Sequence, residues 1–374
     1  MSTASPLRVC ITLGTRPEAI KLAPVIRVFQ QAEDMDTRVI LTGQHREMVA
    51  QVMDLFQLRA DEDLDIMQPQ QSLTDITCRS LHGLERCFQK HQPQLVIVQG
   101  DTTTAFAAAL AAFYQKIAVG HVEAGLRTDD LWNPFPEEAN RRLISQITHL
   151  HFAPTQTSVE HLRRSGVVGA IHQTGNTVID ALLAIAAQHP ACDIPGLDWN
   201  QHRVILATVH RRENWGEPLH DIATGFLTIL DKFPDTALLL PLHRNPTVRE
   251  PLTQRLGDHP RVFLTEPLDY HQLVGAMQRC TLLLTDSGGL QEEAPGLGKP
   301  VLVLRETTER PEAVEAGTAK LVGTNPPAIA AAASELLSNP AAYDQMAKAV
   351  NPFGDGQASR RILEIVRQAG LPHA

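Results

Sequence analysis

Short runs of β-branched residues and leucines alternate with longer stretches of helical spacing along this chain. This alternation predicts strand–helix–strand units and therefore a parallel sheet with helices on its faces. A segment with helical spacing follows each strand of the first series except the last. The strands of this series are predicted at Leu7–Leu13, Arg38–Leu41, Leu95–Val98, Ile117–Val119 and His149–Ala153.

A second series of strands begins after His189–Gln201, where prolines and a glycine interrupt the periodicity and indicate a linker. Its helices include Leu219–Phe233 and His271–Gln278. Its strands are predicted at Val204–Thr208, Ala237–Leu240, Val262–Leu264, Leu282–Leu284 and Pro300–Leu304.

The two series predict an α/β protein with two doubly wound, Rossmann-like domains. The N-terminal domain is expected to comprise residues 1–188, and the C-terminal domain residues 189–354. A last helix is predicted at Ser359–Ala369, after a stretch of Pro, Gly and Asp that is long enough for the chain to return. We therefore expect residues 355–374 to pack back on the N-terminal domain.

Length and composition favour a globular enzyme, because 374 residues allow two full cores and 43% of them are hydrophobic. The net charge of −9 disfavours general binding to nucleic acid or to an anionic membrane. The longest apolar run, Ala105–Tyr114, is too short to span a bilayer, and Met1–Arg8 lacks the pattern of a signal peptide. We therefore expect a cytoplasmic protein.

The cysteines are odd in number, widely spaced and without a C-x-x-C pair. This usage predicts reduced, buried thiols and no zinc site. The five cysteines are Cys10, Cys78, Cys87, Cys192 and Cys280.

Polar clusters rich in Arg, His and acids follow the predicted strands of both series. Because ligands of open α/β sheets bind beyond the carboxyl ends of the strands, these clusters are expected to line one interdomain cleft. The clusters lie at residues 14–18, 42–45, 99–102, 121–125, 210–214 and 243–245.

The segment after the strand at Leu282–Leu284 predicts a site for a nucleotide. Ser287 is a good N-cap, and Gly288 and Gly289 allow a phosphate to approach backbone N–H groups at the positive end of the next helix. Glu293, farther along this helix, would accept hydrogen bonds from ribose hydroxyls. The alternative is an ordinary strand-to-helix turn with helix-favouring acids.

Cations follow the first strand of the first series. Arg16 and Lys21 lie in the first turns of the predicted helix, where structural cations are unfavourable and a bound anion would compensate them. The alternative is that Arg16 pairs with Glu18 and that Lys21 is solvated.

Cations also follow the first strand of the second series. His210 with an adjacent arginine, Arg211 or Arg212, can neutralise a diphosphate through charge-assisted hydrogen bonds. The other arginine would then bridge to Glu213. His243 belongs to the polar cluster of the next loop, and its alternative to a role in the cleft is to cap the following helix.

The first domain supplies carboxylates instead, and three of them follow predicted strands or open a helix: Asp101, Glu123 and Glu137. Together they form a candidate acid/base set, in which the helix dipole favours the ionised form of Glu137. Each has a structural alternative. Asp101 could cap the helix at Thr102–Phe113, and Glu123 could hold Arg127.

Acids in the first domain and a nucleotide site in the second fit a reaction in which a good leaving group departs, such as the diphosphate of a nucleotide sugar. The sequence contains neither an acidic metal cluster, nor G-x-G-x-x-G, nor a Walker A pattern. We therefore expect neither a metal nor a cofactor.

Seven segments in this order resemble the non-hydrolysing UDP-N-acetylglucosamine 2-epimerases of bacteria. Together they cover the chain from Thr12 to about Gly323. They are GTRPE at 14–18, QGDT at 99–102, HVEAGLRT at 121–128, PEEANR at 136–141, HRREN at 210–214, DSGGLQEEAPGLGKPV at 286–301 and TERPEAVEAGT at 308–318.

The resemblance implies a fold like that of two-domain (GT-B) glycosyltransferases, a homodimer, and interconversion of UDP-N-acetylglucosamine and UDP-N-acetylmannosamine for surface polysaccharide precursors. It implies anti elimination of UDP to 2-acetamidoglucal, followed by re-addition. The implied acid/base residues are Asp101, Glu123 and Glu137, with His210 beside the diphosphate. The implied UDP neighbours are Arg16, Lys21, Arg211, Ser287, Gly288, Gly289 and Glu293.

The family also has a regulatory site for UDP-N-acetylglucosamine, which the resemblance places at Gln44, Arg211 and His243. Three other functions compete with the epimerase. A glycosyltransferase of the same architecture would use the same glycine-rich segment, a hydrolysing epimerase would release free N-acetylmannosamine, and an inactive nucleotide-sugar sensor would bind without reaction. The HVEAGLRT and DSGGLQEE segments argue against the second function, and the three acids argue against the third.

Overall fold

Residues 5–68, 70–128 and 130–371 are described by the computed structural model of the protein. The chain separates into an N-terminal unit, residues 1–181 and 353–374, and a C-terminal unit, residues 182–352. Residues 1–4, part of the start in which we expect no signal peptide, lie outside the described residues, as do residues 372–374. Each unit contains one parallel sheet flanked by helices, which confirms the predicted α/β class.

The N-terminal unit is built on a seven-stranded parallel sheet of order β3-β2-β1-β4-β5-β6-β7. The five predicted strands form its centre, and the two short edge strands β3 and β7 were not predicted. The strands are β1 (Leu7–Leu13), β2 (Met35–Leu41), β3 (Glu62–Asp63), β4 (Leu95–Gln99), β5 (Ala118–Val122), β6 (Leu150–Ala153) and β7 (Ala170–Gln173).

Helices connect these strands, including one after β6 that the sequence analysis did not predict. The alanine-rich helix after β4 is largely buried apart from its last two residues, because small side chains allow it to pack closely on the sheet. The helices are α1 (Arg16–Gln30), α2 (Arg46–Leu55), α3 (Leu73–His91), α4 (Thr103–Tyr114), α5 (Glu137–Ile147), α6 (Gln156–Arg164) and α7 (Thr177–Ala186). The boundary between the units falls within α7.

The C-terminal unit has a six-stranded parallel sheet of order β10-β9-β8-β11-β12-β13. Its strands are β8 (Arg203–Thr208), β9 (Thr236–Pro241), β10 (Val262–Thr265), β11 (Leu282–Thr285), β12 (Val301–Val303) and β13 (Ala319–Leu321). Its remaining helices are α8 (Glu217–Lys232), α9 (Pro246–Leu256), α10 (Tyr270–Arg279), α11 (Gly288–Gly296), α12 (Pro311–Glu315), α13 (Pro326–Ser338) and α14 (Pro340–Ala347). The edge strand β13 was not predicted.

The last helix, α15 (Ala358–Gln368), belongs to the N-terminal unit and packs on α1. Asp180 accepts hydrogen bonds from the backbone N–H groups of Ala358 and Ser359 and so caps its first turn. At the other end Arg367 forms a bidentate pair with Asp34, with distances of 2.7 and 2.8 Å. The returning segment is thus fixed at both ends of the helix.

The cysteines and the lengths of the helices bear on two further expectations. All five cysteines are free, but Cys78 is exposed rather than buried, because it lies on the outer face of α3. Among the described helices none is both long and apolar enough to cross a membrane.

Both sheets reverse their strand order at the centre, between β1 and β4 in one unit and between β8 and β11 in the other. At such a point the loops after the two strands diverge to opposite faces and leave a crevice at the carboxyl ends. The polar clusters at residues 14–18 and 99–102, and those at 210–214 and 286–289, follow these strands. Each unit therefore presents its chemistry at its own reversal point.

Candidate functional site

The start of α1 holds an anion of the chain itself. Glu18 is 1% exposed and accepts hydrogen bonds from the backbone N–H groups of Gly14 (2.9 Å) and Thr15 (2.7 Å) and from the Thr102 hydroxyl (2.6 Å). Burial raises the pKa of Glu18, and these hydrogen bonds act against that rise. Glu18 therefore serves the helix terminus and does not pair with Arg16, which forms no ion pair with any described residue.

Glu123 follows β5 and is held by side chains from three other segments. The Lys21 ammonium lies 2.6 Å from both carboxylate oxygens, the Asn176 amide donates to Oε1 at 3.2 Å, and the Gln99 amide donates to Oε2. The backbone of Glu123 adopts φ = 61°, a region that is sparsely populated by residues other than glycine. This conformation turns the side chain to the carboxyl edge of the sheet.

These contacts exclude two of the structural alternatives considered for these residues. Lys21 is not solvated, since it pairs with Glu123 across 102 residues of sequence. Arg127 does not hold Glu123, because its guanidinium donates to the carbonyl of Leu126 and to the hydroxyl of Ser145 instead. Lys21 thus belongs to the cluster of candidate acid/base residues in the N-terminal unit.

Asp101 lies after β4 and pairs with the buried Arg141, at 3.1 Å. Burial raises the pKa of Asp101, and Arg141 partly offsets that effect. The negative charges of Glu123 and Glu137 raise the pKa further, so the three acids are electrostatically coupled. A raised pKa favours the protonated carboxyl group, which makes Asp101 a candidate proton donor.

The helix that follows Asp101, α4, is capped by a different residue. Thr102 is its N-cap residue and accepts a hydrogen bond from the Ala105 N–H at 3.0 Å. The proposed capping role of Asp101 was therefore wrong, which leaves its carboxylate available for Arg141 and for a ligand.

Glu137 and Glu138 open α5 and differ in burial. Glu137 is partly exposed in the first turn, whereas Glu138 is fully buried and accepts from Arg141 (3.0 Å) and Arg142 (2.7 Å). The carboxylate of Glu138 also accepts from the backbone N–H of Thr128 at 3.1 Å. Glu138 thus stabilises the loop before α5, and Glu137 remains the candidate for chemistry.

A buried histidine supports the loop that bears Asp101. His121, 1% exposed, has its Nε2 2.7 Å from the carbonyl of Gly100, which adopts φ = 71°. Burial lowers the pKa of His121 to about 4, so the ring is neutral at pH 7 and donates one hydrogen bond. On the neighbouring strand His151 is fully buried, and burial lowers its pKa to about 3.

In the C-terminal unit Asp286 organises the turn after β8. It is fully buried and accepts from the backbone N–H of His210 (2.9 Å), from that of Arg211 (2.9 Å) and from the Asn214 amide (3.0 Å). Its Oδ1 also lies 2.9 Å from Nδ1 of His210. Burial opposes the negative charge, but the hydrogen bonds and charge of His210 outweigh it and lower the pKa of Asp286.

Asp286 was missed as a functional residue, although it stands directly before Ser287 in the predicted segment. The available signal was an acid at the carboxyl end of a buried strand beside a cationic loop. A carboxylate in that place has to be paired or hydrogen-bonded.

The first turn of α11 is open. Ser287 occupies the N-cap position, but its side chain accepts no capping hydrogen bond from the described residues of the helix. A Cβ placed on Gly288 would lie 3.6 Å from a guanidinium nitrogen of Arg211, and one on Gly289 would lie 3.9 Å from the Ser287 hydroxyl. The glycines thus leave room for a ligand between the N–H groups and a cation.

The arginines of the HRREN segment have partners that differ from those expected. Arg211 lies 3.4 Å from the carboxylate of Glu309, and Arg212 lies over the ring of Trp215. Glu213 pairs with the buried Arg305 and not with an arginine of its own segment. Of the two candidates, Arg211 is therefore the arginine beside the glycine turn.

Glu293 and His243 lie near the same sheet edge. Glu293 is 7% exposed, and the Tyr270 hydroxyl donates to its Oε1 at 2.8 Å. Its Oε2 lies 4.0 Å from the Cβ position of Gly289 and so faces the helix start. The His243 ring stacks near that of His210, and both contribute to a cavity of about 170 Å³ between the ends of β8 and β9.

Gln44 lies in the N-terminal unit, where its side-chain oxygen accepts from the Thr104 hydroxyl at 3.0 Å. Within that unit the structure brings together Lys21, Asp101 and Glu123, with Glu137 coupled to them by charge. Within the C-terminal unit it brings together His210, Arg211 and the start of α11. The roles expected for these residues stay predictions.

Comparison with known proteins covers nearly the whole chain. The family model for UDP-N-acetylglucosamine 2-epimerase matches residues 27–367. The UDP-N-acetylglucosamine 2-epimerase of Escherichia coli strain K12 is 48% identical over 371 residues, which cover 96% of this chain and 98% of that protein. The enzyme of the same name from Bacillus subtilis is 48% identical over 362 residues, which cover 96% and 94%.

The solved structures include UDP-GlcNAc 2-epimerase from Neisseria meningitidis bound to UDP-GlcNAc. It matches with a TM-score of 0.86 and 47% identity, over 97% of this chain and 100% of that one. Sequence, family model and fold thus agree over both units, and the chain belongs to the UDP-N-acetylglucosamine 2-epimerase family.

Proposed function

We propose that the protein interconverts UDP-N-acetylglucosamine and UDP-N-acetylmannosamine by inverting C2 of the sugar. The observation that supports this most directly is the set of coupled carboxylates in the N-terminal unit. Asp101 has a raised pKa, whereas Glu123 is paired with the Lys21 ammonium, so one sheet edge offers a proton donor and a carboxylate acceptor.

The reaction proceeds by anti elimination and re-addition. A carboxylate removes the C2 proton while the C1–O bond to the diphosphate breaks, which gives UDP and 2-acetamidoglucal. A proton then returns to the opposite face of C2, and an oxygen of the UDP β-phosphate forms the new bond to C1. Because the C2 proton is weakly acidic, C1–O cleavage leads and most stabilisation is needed at the departing diphosphate.

Asp101, Glu123 and Glu137 act on the sugar in this proposal, and His210 stabilises the departing diphosphate. Lys21 acts through its ion pair with Glu123, which keeps that carboxylate in place. Support comes from the different environments of two neighbouring acids, which favour different protonation states at one pH.

The diphosphate of UDP binds to the start of α11. Its oxygens accept from the N–H groups near Gly288 and Gly289 and from Arg211 and Arg16, and Ser287 donates through its hydroxyl. Glu293 accepts hydrogen bonds from the ribose, which its Oε2 can do beside the glycine turn.

Three further features of the family belong to the proposal. The protein forms a homodimer, with exposed apolar side chains such as Phe113, Tyr114 and Leu143 available for burial. A second UDP-N-acetylglucosamine binds near Gln44, Arg211 and His243 and activates the enzyme. The product serves the synthesis of surface polysaccharide precursors.

Incubation of the purified chain with UDP-N-acetylglucosamine in D2O tests the reaction. NMR should detect deuterium at C2 of both UDP-N-acetylglucosamine and UDP-N-acetylmannosamine, because the proton returns from solvent. Conversion without deuterium at C2 would contradict elimination, and release of free N-acetylmannosamine as the main product would indicate the hydrolysing reaction. Absence of any C2 exchange would reject the proposed function.

A further inference from the structure

The carboxylate of Asp286 contacts the imidazole ring of His210 in addition to the donors that hold the turn after β8. Three donors fix the turn to Asp286: the backbone N–H groups of His210 and Arg211 and the amide of Asn214. The imidazole is an additional partner, with Nδ1 at 2.9 Å from Oδ1. A loop that needed only to be held in place would not require this fourth contact.

Asp286 is too deeply buried to touch a substrate. Its side chain has no exposed surface, whereas the side chain of His210 is 37% exposed. Any effect of Asp286 on the reaction must therefore pass through His210 or through the turn, which makes it a candidate positioning residue.

The geometry also determines which nitrogen of His210 is available. The lone pairs of an unprotonated Nδ1 and of a carboxylate oxygen would repel each other at 2.9 Å, so this contact is favourable only with a proton on Nδ1. Nε2 is then the atom left for the solvent-exposed side, and the described residues offer it no hydrogen-bond partner. This arrangement has the same logic as a histidine oriented by a buried carboxylate in other enzymes.

Several charged or titratable groups surround His210. The neighbouring ring is His243, with centroids 6.1 Å apart, and the neighbouring cation is Arg211, which is paired with Glu309. Of these groups, Asp286 is the one in contact with the imidazole nitrogen. The negative charge that can stabilise a doubly protonated ring therefore comes from Asp286.

We infer that Asp286 is a positioning residue for His210: it accepts from Nδ1–H, directs Nε2 towards the departing diphosphate, and stabilises the imidazolium as negative charge develops on the leaving group. The inference rests on the proposed function, because it gives His210 a leaving group to stabilise. The residue acts on the chemical step and not on the affinity for the uridine.

A double-mutant cycle of Asp286→Asn and His210→Asn separates this role from a structural one. Asp286→Asn should lower kcat about tenfold to a hundredfold, the range expected for losing a hydrogen bond to a charged group, with KM changed little. In the His210→Asn background the same substitution should have almost no further effect, because the partner is gone. Losses that simply multiply in the double variant would overturn the inference.

Asn214→Ala is the matched control, since it removes a donor to Asp286 without touching the imidazole. It should lower the thermal stability while kcat stays close to that of the unaltered chain. If Asn214→Ala lowered kcat as much as Asp286→Asn, Asp286 would only hold the turn, and the inference would fail.

A measurement on the unaltered chain avoids any folding defect of the variants. In ¹⁵N-labelled protein, the neutral form of His210, assigned by comparison with His210→Asn, should be the Nδ1–H tautomer. An Nε2–H tautomer would overturn the inference. The two proposals fail separately: a chain without C2 exchange but with this tautomer contradicts the epimerase, whereas active protein with the other tautomer contradicts only the role of Asp286.

Discussion

Both units have a parallel sheet whose strand order reverses at the centre. They differ at the helix that starts beside this point, which is α1 in one unit and α11 in the other. In the N-terminal unit the N–H groups before α1 already bond to the carboxylate of Glu18. In the C-terminal unit the start of α11 has two glycines and no capping side chain from the described residues of the helix. The start of α11 is therefore better suited than the start of α1 to bind an anion from outside the chain.

The charges around the two helix starts are arranged in opposite ways. In the N-terminal unit cations serve acids, because Lys21 pairs with Glu123 and Arg141 pairs with Asp101. In the C-terminal unit an acid serves a cationic turn, because Asp286 holds the backbone of His210 and Arg211. One half is therefore suited to moving protons and the other to holding an anion.

The strongest test of this division removes an acid of the N-terminal unit. Glu123→Gln should lower kcat about a hundredfold to ten-thousandfold, the range of general acid–base catalysis, because an amide cannot accept the C2 proton. The affinity for UDP, measured by calorimetry, should stay nearly unchanged because Glu123 is not among the proposed contacts of the nucleotide. Glu47→Gln on the exposed face of α2 is the control and should retain kcat. Full turnover by Glu123→Gln would remove this acid from the mechanism.

A second substitution distinguishes a structural acid from a catalytic one on the same helix. Glu138→Gln should reduce the free energy of unfolding by about 3 kcal/mol, because the buried Arg141 loses one of its two carboxylate partners. The urea midpoint of the N-terminal unit reports this loss. Glu160→Gln, in an exposed pair with Arg164, should change the free energy by less than about 0.5 kcal/mol. Equal effects of the two substitutions would contradict the structural role of Glu138.

A third substitution closes the open helix start. Gly289→Ala should weaken UDP binding about tenfold to a hundredfold, because the methyl group occupies the path of the phosphate to the N–H groups. The thermal stability should not fall, since the nearest atom to the new Cβ is 3.9 Å away and alanine favours a helix. UDP affinity equal to that of the unaltered chain would place the phosphate elsewhere.

Much of this division follows from the sequence. The alternation of strands and helices predicts both sheets, and polar residues after buried strands predict which loops matter. The pairing of Lys21 with Glu123 is not predictable from pattern, because the partners are 102 residues apart and meet only through the order of β1, β4 and β5. Short edge strands such as β3, with two residues, are too short to show a period.

Glu18 and Asp286 escaped the sequence analysis for a related reason. Each is an acid whose role depends on burial, and burial is a property of the packed structure rather than of the local pattern. Glu18 was considered only as an alternative partner of Arg16, and Asp286 was given no role. The sequence predicts where an acid lies relative to a helix start, but it does not predict which groups donate hydrogen bonds to that acid.

The smallest expected effect concerns pH. Burial lowers the pKa of His151 to about 3, so below the ordinary value of 6.5 the unfolded chain binds a proton that the folded chain does not. The contribution of His151 to the free energy of unfolding should therefore fall by about 1.4 kcal/mol per pH unit as the pH drops below 6.5. His151→Phe should lose about 2 kcal/mol less than the unaltered chain between pH 7 and pH 5.

Urea unfolding at the two pH values measures this difference. His220→Phe, at an exposed position of the C-terminal unit, is the control and should leave the pH dependence unchanged. An unchanged pH dependence in His151→Phe would contradict the neutral, buried state of His151.

The most direct test of the account is a crystal structure of the protein with UDP. The account predicts phosphate oxygens within about 2.7–3.2 Å of backbone N–H groups in the first turn of α11, with Glu18 still bonded to Gly14 and Thr15. A diphosphate that displaces Glu18 and binds the start of α1, with the first turn of α11 left without phosphate, would contradict it.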